Sequence, residues 1–231
     1  MIATVTLNPS LDEWIALPAL RPGALNRAAG FERYPGGKGI NVSRVIHELG
    51  GSTVAFALAG GADGLILREL MNRMRIRHAF ENVEGLTRNN YKILTRHPAQ
   101  LTEINTAGPQ VRYRDVARLQ RRLFAYSPPP SHLVLSGSLP PGAPLDVYAQ
   151  WIRQGRHRGI PTVLDASGTG LRRGLSARPW LIKPNRQEAE EVLGRRLRGI
   201  VPASVTPLEP QGASGPTPPA PANAPGGVNE D

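Results

Sequence analysis

The chain has 231 residues, no cysteine and a formal net charge of +10. That length suits one sizeable α/β domain, or a domain with an appendage, and the missing cysteines exclude disulfide scaffolds, Cys-based metal sites and thiol nucleophiles. The opening Met1–Leu7 is too short and uncharged for a signal peptide, and no apolar run approaches the roughly 20 residues of a membrane span, so the sequence reads as soluble and cytoplasmic with no membrane partner.

Taken in chain order, the periods alternate between strand and helix. Ile2 to Leu7 is a β-rich run ended by the turn signal Asn8-Pro9. Val42, Val45, Ile46 and Leu49 recur at helical spacing, and Gly50-Gly51 stops that helix. Thr53 to Leu58 predicts the next strand, Leu67, Leu70, Met71 and Met74 the next helix, and Ile76 to Phe80 a strand after it. Val116, Leu119 and Leu123 mark a third helix and His132 to Leu135 a strand. A fourth helix carries Leu145, Tyr148, Ala149 and Ile152. Pro161 to Leu164 and Trp180 to Ile182 read as two buried-type strands, with a helix after Asn185.

Strands alternating with helices imply βαβ units and a largely parallel sheet covered on both faces. Residues 12–34 and 88–106 break the rhythm with short alternating strands and no helix between, which suits a small separate sheet lying across the main one as a lid. Composition changes after Arg198. Residues 201–231 hold eight prolines, four glycines and no Lys, Arg or aromatic residue, so a core domain over 1–200 followed by a disordered tail over 201–231 is expected.

The basic residues are scattered along the chain, with only small clusters. Lys38, Lys92 and Lys183 are the only lysines, and arginine pairs such as Arg121-Arg122, Arg172-Arg173 and Arg195-Arg196 stand at the ends of helical patterns. No basic stripe is interleaved with aromatics, so nucleic acid is not an expected partner.

Pro35-Gly36-Gly37-Lys38-Gly39-Ile40-Asn41-Val42 opens the first predicted helix. Glycines let backbone amides approach an anion, the helix N-terminus adds its positive dipole end, and Lys38 adds a point charge. The spacing is not that of a Walker A loop, and a GGKG run also serves as a plain tight turn. Asn185 and Glu188 stand at the spacing of a capping box.

Six short motifs occur together: Asn8-Pro9-Ser10-Leu11-Asp12; the GGKGINVSR run ending at Arg44; Thr87-Arg88-Asn89-Asn90; Thr102-Glu103-Ile104-Asn105; Ser136-Gly137-Ser138-Leu139-Pro140-Pro141-Gly142; and Lys183-Pro184-Asn185-Arg186-Gln187-Glu188. In this order they resemble the PfkB (ribokinase-like) carbohydrate kinases, in the branch of 1-phosphofructokinase and tagatose-6-phosphate kinase, over residues 1 to about 198. The resemblance implies a Rossmann-like three-layer α/β/α fold with a small β-sheet lid. It also implies an ATP- and Mg²⁺-dependent transfer of phosphate to a sugar phosphate, most simply fructose 1-phosphate. By resemblance, Asp12 accepts hydrogen bonds from sugar hydroxyls, although it also suits a turn after Pro9. Gly37, Lys38 and Asn41 hold the sugar, Arg88 and Asn90 reach the substrate's own phosphate, and Ser138 adds a hydroxyl contact. Lys183, Asn185 and Glu188 form the nucleotide side, with Glu188 reaching Mg²⁺ through water. A homodimer paired through the lid strands is a further implication. The family's catalytic Gly-Ala-Gly-Asp has no match: Gly212-Ala213-Ser214-Gly215-Pro216 lacks the acid, so no catalytic base is assigned and an impaired, C-terminally truncated kinase, or a non-catalytic sugar-phosphate-binding fragment, is expected.

Overall fold

The computed structural model describes residues 1–197. The expected disordered tail, the Gly212–Pro216 echo and the chain end lie outside the described residues. Met1–Arg196 forms one compact unit.

Its main sheet has six strands, all parallel, in the order β10-β9-β8-β1-β4-β5. These are β1 (Ile2–Thr6), β4 (Thr53–Ala59), β5 (His78–Asn82), β8 (His132–Ser136), β9 (Thr162–Asp165) and β10 (Leu181–Ile182). A second sheet, ordered β3-β2-β6-β7, contains β2 (Ser10–Leu17), β3 (Gly30–Gly36), β6 (Arg88–Arg96) and β7 (Ala99–Asn105), the two lid segments that the sequence set apart. Six helices complete the unit: α1 (Lys38–Glu48), α2 (Gly61–Arg73), α3 (Tyr113–Phe124), α4 (Val147–His157), α5 (Gly168–Leu175) and α6 (Arg186–Leu193).

The interior strand β4, between β1 and β5, is buried at every position and reads as a continuous apolar run, as a parallel strand covered on both faces should. One face packs against α3, α4 and α5 through a large cluster that includes Val5, Phe56, Leu119, Leu133, Trp151 and Leu164. The other packs against α1 and α2 through Ile40, Ala55, Ala57, Leu67 and Met71. On that second face α1 and α2 lie against β1, β4, β5 and β8.

Four expectations need correction. The helical stripe Val42, Val45, Ile46, Leu49 does not face the core: α1 buries Gly39, Ile40 and Ser43, and Val45 and Leu49 are exposed. The helix approaches β1 closely, because a Cβ on Gly39 would lie 2.6 Å from the Val5 carbonyl oxygen. Hydroxyls fill the contact, with Ser43 bonded to both Thr4 (2.7 Å) and Thr53 (2.8 Å). Trp180, Leu181 and Ile182 are exposed, since among the described residues β10 pairs only with β9. Leu145 precedes α4 and is exposed too. The strand expected from Ile76 begins at His78, because Ile76 closes the turn that ends α2 by donating its N–H to the Met71 carbonyl. Helix α5, with three glycines in eight residues, was not foreseen.

Candidate functional site

The C-terminal ends of β1, β8 and β9 point towards one edge of the main sheet, and the lid joins the unit at that edge through Asn8-Pro9 and Thr87. In open parallel sheets this is the edge where ligands bind. Two clusters of polar side chains form there.

The first is built on the lid. Parallel pairing of β2 with β6 sets Ser10 opposite Arg88, Asp12 opposite Asn90 and Trp14 opposite Lys92, so all six share one face. Asp12 Oδ1 accepts from the Ser10 hydroxyl (2.9 Å) and the Asn90 amide (3.0 Å), and Oδ2 lies 3.4 Å from Lys92 Nζ. Lys92 is held further by Glu103 at 3.7 Å and by the Trp14 ring, whose centroid is 5.1 Å away. Arg88 donates through Nε to the Asn8 carbonyl (3.3 Å) and through Nη1 to Asn90 Oδ1 (3.3 Å). Burial lowers the Arg88 pKa from its ordinary value and the nearby Asp12 charge raises it, with burial the larger effect. No carboxylate pairs directly with this guanidinium among the described residues, which leaves it the lid cation best placed to meet a ligand's charge. Gly36 makes the network possible: a Cβ there would stand 2.3 Å from Asp12 Oδ1 and 2.4 Å from the Ser10 hydroxyl.

The second cluster lies where α1, β9 and α6 meet. Gly37 caps α1 with φ 118, a conformation that favours glycine, and a Cβ there would also meet Thr6 Cγ2 at 2.7 Å. This turn delivers Lys38, whose ammonium lies 3.2 Å from Asp165 Oδ1 and 3.1 Å from Glu188 Oε1. Lys183 stands 3.4 Å from Asp165 Oδ2. Asn185 and Glu188 close a reciprocal capping box: Glu188 N–H donates to Asn185 Oδ1 (2.8 Å) and Asn185 N–H to Glu188 Oε2 (2.9 Å). Burial alone pushes the Glu188 carboxyl up, but the Asn185 N–H and the Lys38 ammonium together hold it below its ordinary value. Burial likewise pushes Lys38 down, and its bonds to Glu188 and Asp165 bring it above the usual lysine value.

Between the clusters, the Asn8 amide donates to the Ser138 hydroxyl (3.2 Å). The Ser138 loop is anchored from beneath by the buried Tyr148, whose hydroxyl donates to the carbonyls of Ser136 (3.3 Å) and Gly137 (3.1 Å). Burial raises the Tyr148 pKa strongly, so the phenol stays a donor.

The residues singled out from sequence therefore divide. Asp12, Arg88 and Asn90 come together on the lid, and Lys183, Asn185 and Glu188 at the β10–α6 junction. Lys38, expected beside the sugar, bonds instead to the carboxylates of the second cluster. Asn41 is exposed, and its side chain accepts only a long 3.5 Å contact from Arg44. Asp165, buried and bonded to two lysines, was not picked out; a lone Asp ending an apolar run looks like any strand-to-turn transition. Asn8, Ser10 and Lys92 also join the site. For a divalent cation the test is the donor set. Among the described residues no three Asp, Glu or His side chains group to cage a metal; Asp165 and Glu188 offer two hard-oxygen groups around the Lys38 ammonium, a donor set that suits only a magnesium ion keeping most of its waters.

Comparison with known proteins identifies the family and the fold. Residues 5–209 match the pfkB family of carbohydrate kinases. The chain is 37% identical over 199 residues to the tagatose-6-phosphate kinase of Staphylococcus epidermidis, a match covering 85% of this chain and 64% of that relative. It resembles the tetrameric inhibited form of Escherichia coli phosphofructokinase-2 with a TM-score of 0.80 at 33% identity, covering 86% of this chain and 66% of that one. A possible 1-phosphofructokinase of Thermotoga maritima matches with a TM-score of 0.78 at 33% identity, over 86% of this chain and 65% of that one. The chain thus spans slightly less than two thirds of the length of each of these relatives.

Proposed function

Because the chain belongs to the pfkB family of carbohydrate kinases, we propose that its strand-C-terminal edge binds a phosphorylated ketohexose, fructose 1-phosphate first and tagatose 6-phosphate as the close alternative. The observation that carries this reading is the lid cluster, a carboxylate and a guanidinium held on one face by Ser10, Asn90 and Lys92. Asp12 accepts from sugar hydroxyls. Arg88, with Asn90 beside it, holds the substrate's phosphate through parallel N–H···O bonds. Ser138 adds a hydroxyl contact, fixed by Asn8 and Tyr148, and Gly37 and Asn41 border the sugar at the start of α1.

Lys183, Asn185 and Glu188 serve the nucleotide side. Asp165 and Glu188 hold Mg²⁺ through water, and the ion supplies neutralisation of phosphate charge when bound. Lys38 stands between the two sides, 42% exposed, and its ammonium is free to exchange a carboxylate for a phosphate oxygen. In the family reaction a sugar hydroxyl oxygen attacks the γ-phosphorus of ATP, the bond to the ADP oxygen breaks, and the hydroxyl proton passes to a base. The 231 residues contain no Gly-Ala-Gly-Asp to provide that base, so we expect strong binding and weak turnover from this chain alone. Exposed Leu94 and Leu101 on the lid favour a second copy as the lid's partner.

Calorimetry with fructose 1-phosphate should give a saturable heat that Arg88→Ala abolishes. A coupled ADP-release assay with MgATP should give turnover far below the roughly 1–100 s⁻¹ of ordinary kinases. No heat at millimolar sugar phosphate would remove the binding assignment, and ordinary turnover would remove the claim of impairment.

A further inference from the structure

The opposite edge of the main sheet, where the strands begin, carries a cleft that the sugar-phosphate reading does not use. It has a volume of about 320 Å³ and is lined by Ile152, Arg156, Ile160, Thr162, Arg178 and Trp180 among others, which is within the range of small-ligand sites. Its floor is apolar and buried: Ile152 and Ile160 are 1% and 6% exposed. One wall is the indole of Trp180, 65% exposed and set edge-on to the His132 ring at a centroid distance of 5.8 Å. An exposed tryptophan over an apolar floor is a stacking surface for another flat ring.

The rim is cationic. Arg156 is fixed by donating Nη1 to the Ala177 carbonyl (2.9 Å), and neither Arg156 nor Arg178 forms an ion pair among the described residues. Arg178 also holds the left-handed conformation, φ 55, where the chain leaves α5. Glycine takes that conformation freely, whereas another residue costs on the order of 1 kcal/mol or more there. What arginine adds at this turn is a guanidinium at the mouth of the cleft. The wider surroundings add to the positive field. Helices α2, α3, α4 and α5 run back from the opposite edge and carry Arg73, Arg121, Arg122, Arg156, His157, Arg172 and Arg173 in their last turns. Parallel topology gathers those ends at one edge, although the sequence scatters them.

We propose that this cleft is a second ligand site, taking a flat aromatic ring that carries a phosphate, of mononucleotide size. The ring stacks on Trp180 above Ile152 and Ile160, and the phosphate meets Arg156 and Arg178. The site stands apart from the sugar-phosphate edge and does not depend on that reading. Thr162 in the cleft and Asp165 at the opposite edge are three residues apart on β9, about 10 Å along the strand.

The test is a titration of the full chain with AMP, read by tryptophan emission and by calorimetry. Trp151 is fully buried and out of a ligand's reach, so the ligand-dependent change in emission comes chiefly from Trp180 and the lid's Trp14. Saturable quenching with a dissociation constant of about 0.1–1 mM is expected, with adenosine and inorganic phosphate each binding about tenfold more weakly. Arg178→Gly relieves the backbone while deleting the charge, so it should fold at least as stably as the parent and still lose about tenfold in AMP affinity. Adding Arg156→Ala should extend the loss. Saturating fructose 1-phosphate should leave the AMP titration unchanged. The proposal falls if AMP gives no saturable signal up to about 10 mM, or if the double variant binds like the parent. It falls equally if adenosine matches AMP, if fructose 1-phosphate displaces AMP, or if a single-stranded oligonucleotide binds far more tightly with a steep salt dependence.

Discussion

The two ends of the parallel sheet are built from opposite chemistry. At the end where strands finish, the buried carboxylates of Asp165 and Glu188 and the half-buried one of Asp12 lie among lysines and amides, each with named partners. At the end where strands begin, guanidinium groups stand largely exposed, and few meet a carboxylate. Helix polarity explains much of the division. The acids Asp63, Asp115 and Glu188 lie in first turns and the arginines in last turns, each favourable to the helix dipole. What separates a site from a solvated surface is therefore not charge but the kind of constraint: the strand-C-terminal edge knits carboxylates and cations into shared networks, whereas the other edge fixes its arginines one at a time, Arg156 on the Ala177 carbonyl, Arg158 on that of Phe124 and Arg73 on Glu69.

That contrast can be broken most severely on the lid. In Gly36→Ala the new methyl would collide with Asp12 Oδ1 and Ser10 Oγ, so both must move. Sugar-phosphate affinity should fall on the order of 100-fold by calorimetry, as it should in Asp12→Ala, where Lys92 loses its nearest carboxylate. Asp12→Asn keeps an acceptor and should lose about tenfold. Equal losses in the two Asp12 variants would show that charge, not hydrogen-bond geometry, dominates.

Next in size is the ion cluster. Asp165→Ala leaves Lys38 with Glu188 alone and Lys183 with no carboxylate. Breaking a buried pair costs several kcal/mol, but Lys38 is 42% exposed and Lys183 70%, so about 2 kcal/mol is expected in denaturant unfolding. A loss below about 0.5 kcal/mol would mean that water already screens the cluster.

The cluster also predicts how stability depends on pH. Glu188 has a lowered carboxyl pKa in the fold, because the Asn185 N–H and Lys38 outweigh burial. Its contribution is complete above the ordinary value of 4.5 and is lost as pH falls through the lower folded value. Lys38 is the mirror case: its contribution is complete below 10.5 and is lost as pH rises through the raised folded value. Glu188→Gln should flatten the acid limb of a melting-temperature profile and bring the alkaline loss closer to neutrality. A parallel shift of the whole curve would sink this assignment.

These predictions bear on which parts of the molecule were legible in sequence. Apolar runs and helical spacing revealed the strand–helix alternation and both lid segments, since each depends on neighbours a few positions apart. The lid's Asp12, Arg88 and Asn90 were legible only as motif positions; that they share a face follows from pairing Ser10 with Arg88 across 78 residues. The bonds that hold Lys38 were hidden for the same reason: its partners Asp165 and Glu188 lie 127 and 150 residues away. Helix α1 misled because its buried side is nearly bare. Close approach to β1 selects Gly39 and Ser43 there, so Ile40 is the one large apolar side chain that α1 fully buries, and Val45 and Leu49 stay outside. The arginines were read as scattered, and only the parallel topology brings them to one edge.

The smallest expected effect tests whether that basic edge exists for the helices or for a ligand. Arg121 lies in the last turn of α3, exposed and not among the residues lining the cleft. Arg121→Gln removes a favourable charge–dipole contact and should cost about 0.3–1 kcal/mol at low salt, vanishing at high salt. If the edge acts only as a helix-capping surface, AMP binding should not change in this variant. If its summed field attracts anions, AMP affinity should fall slightly, by less than about twofold, and the fall should disappear with added salt. Stability and affinity measured on one protein thus separate two origins for the same charge.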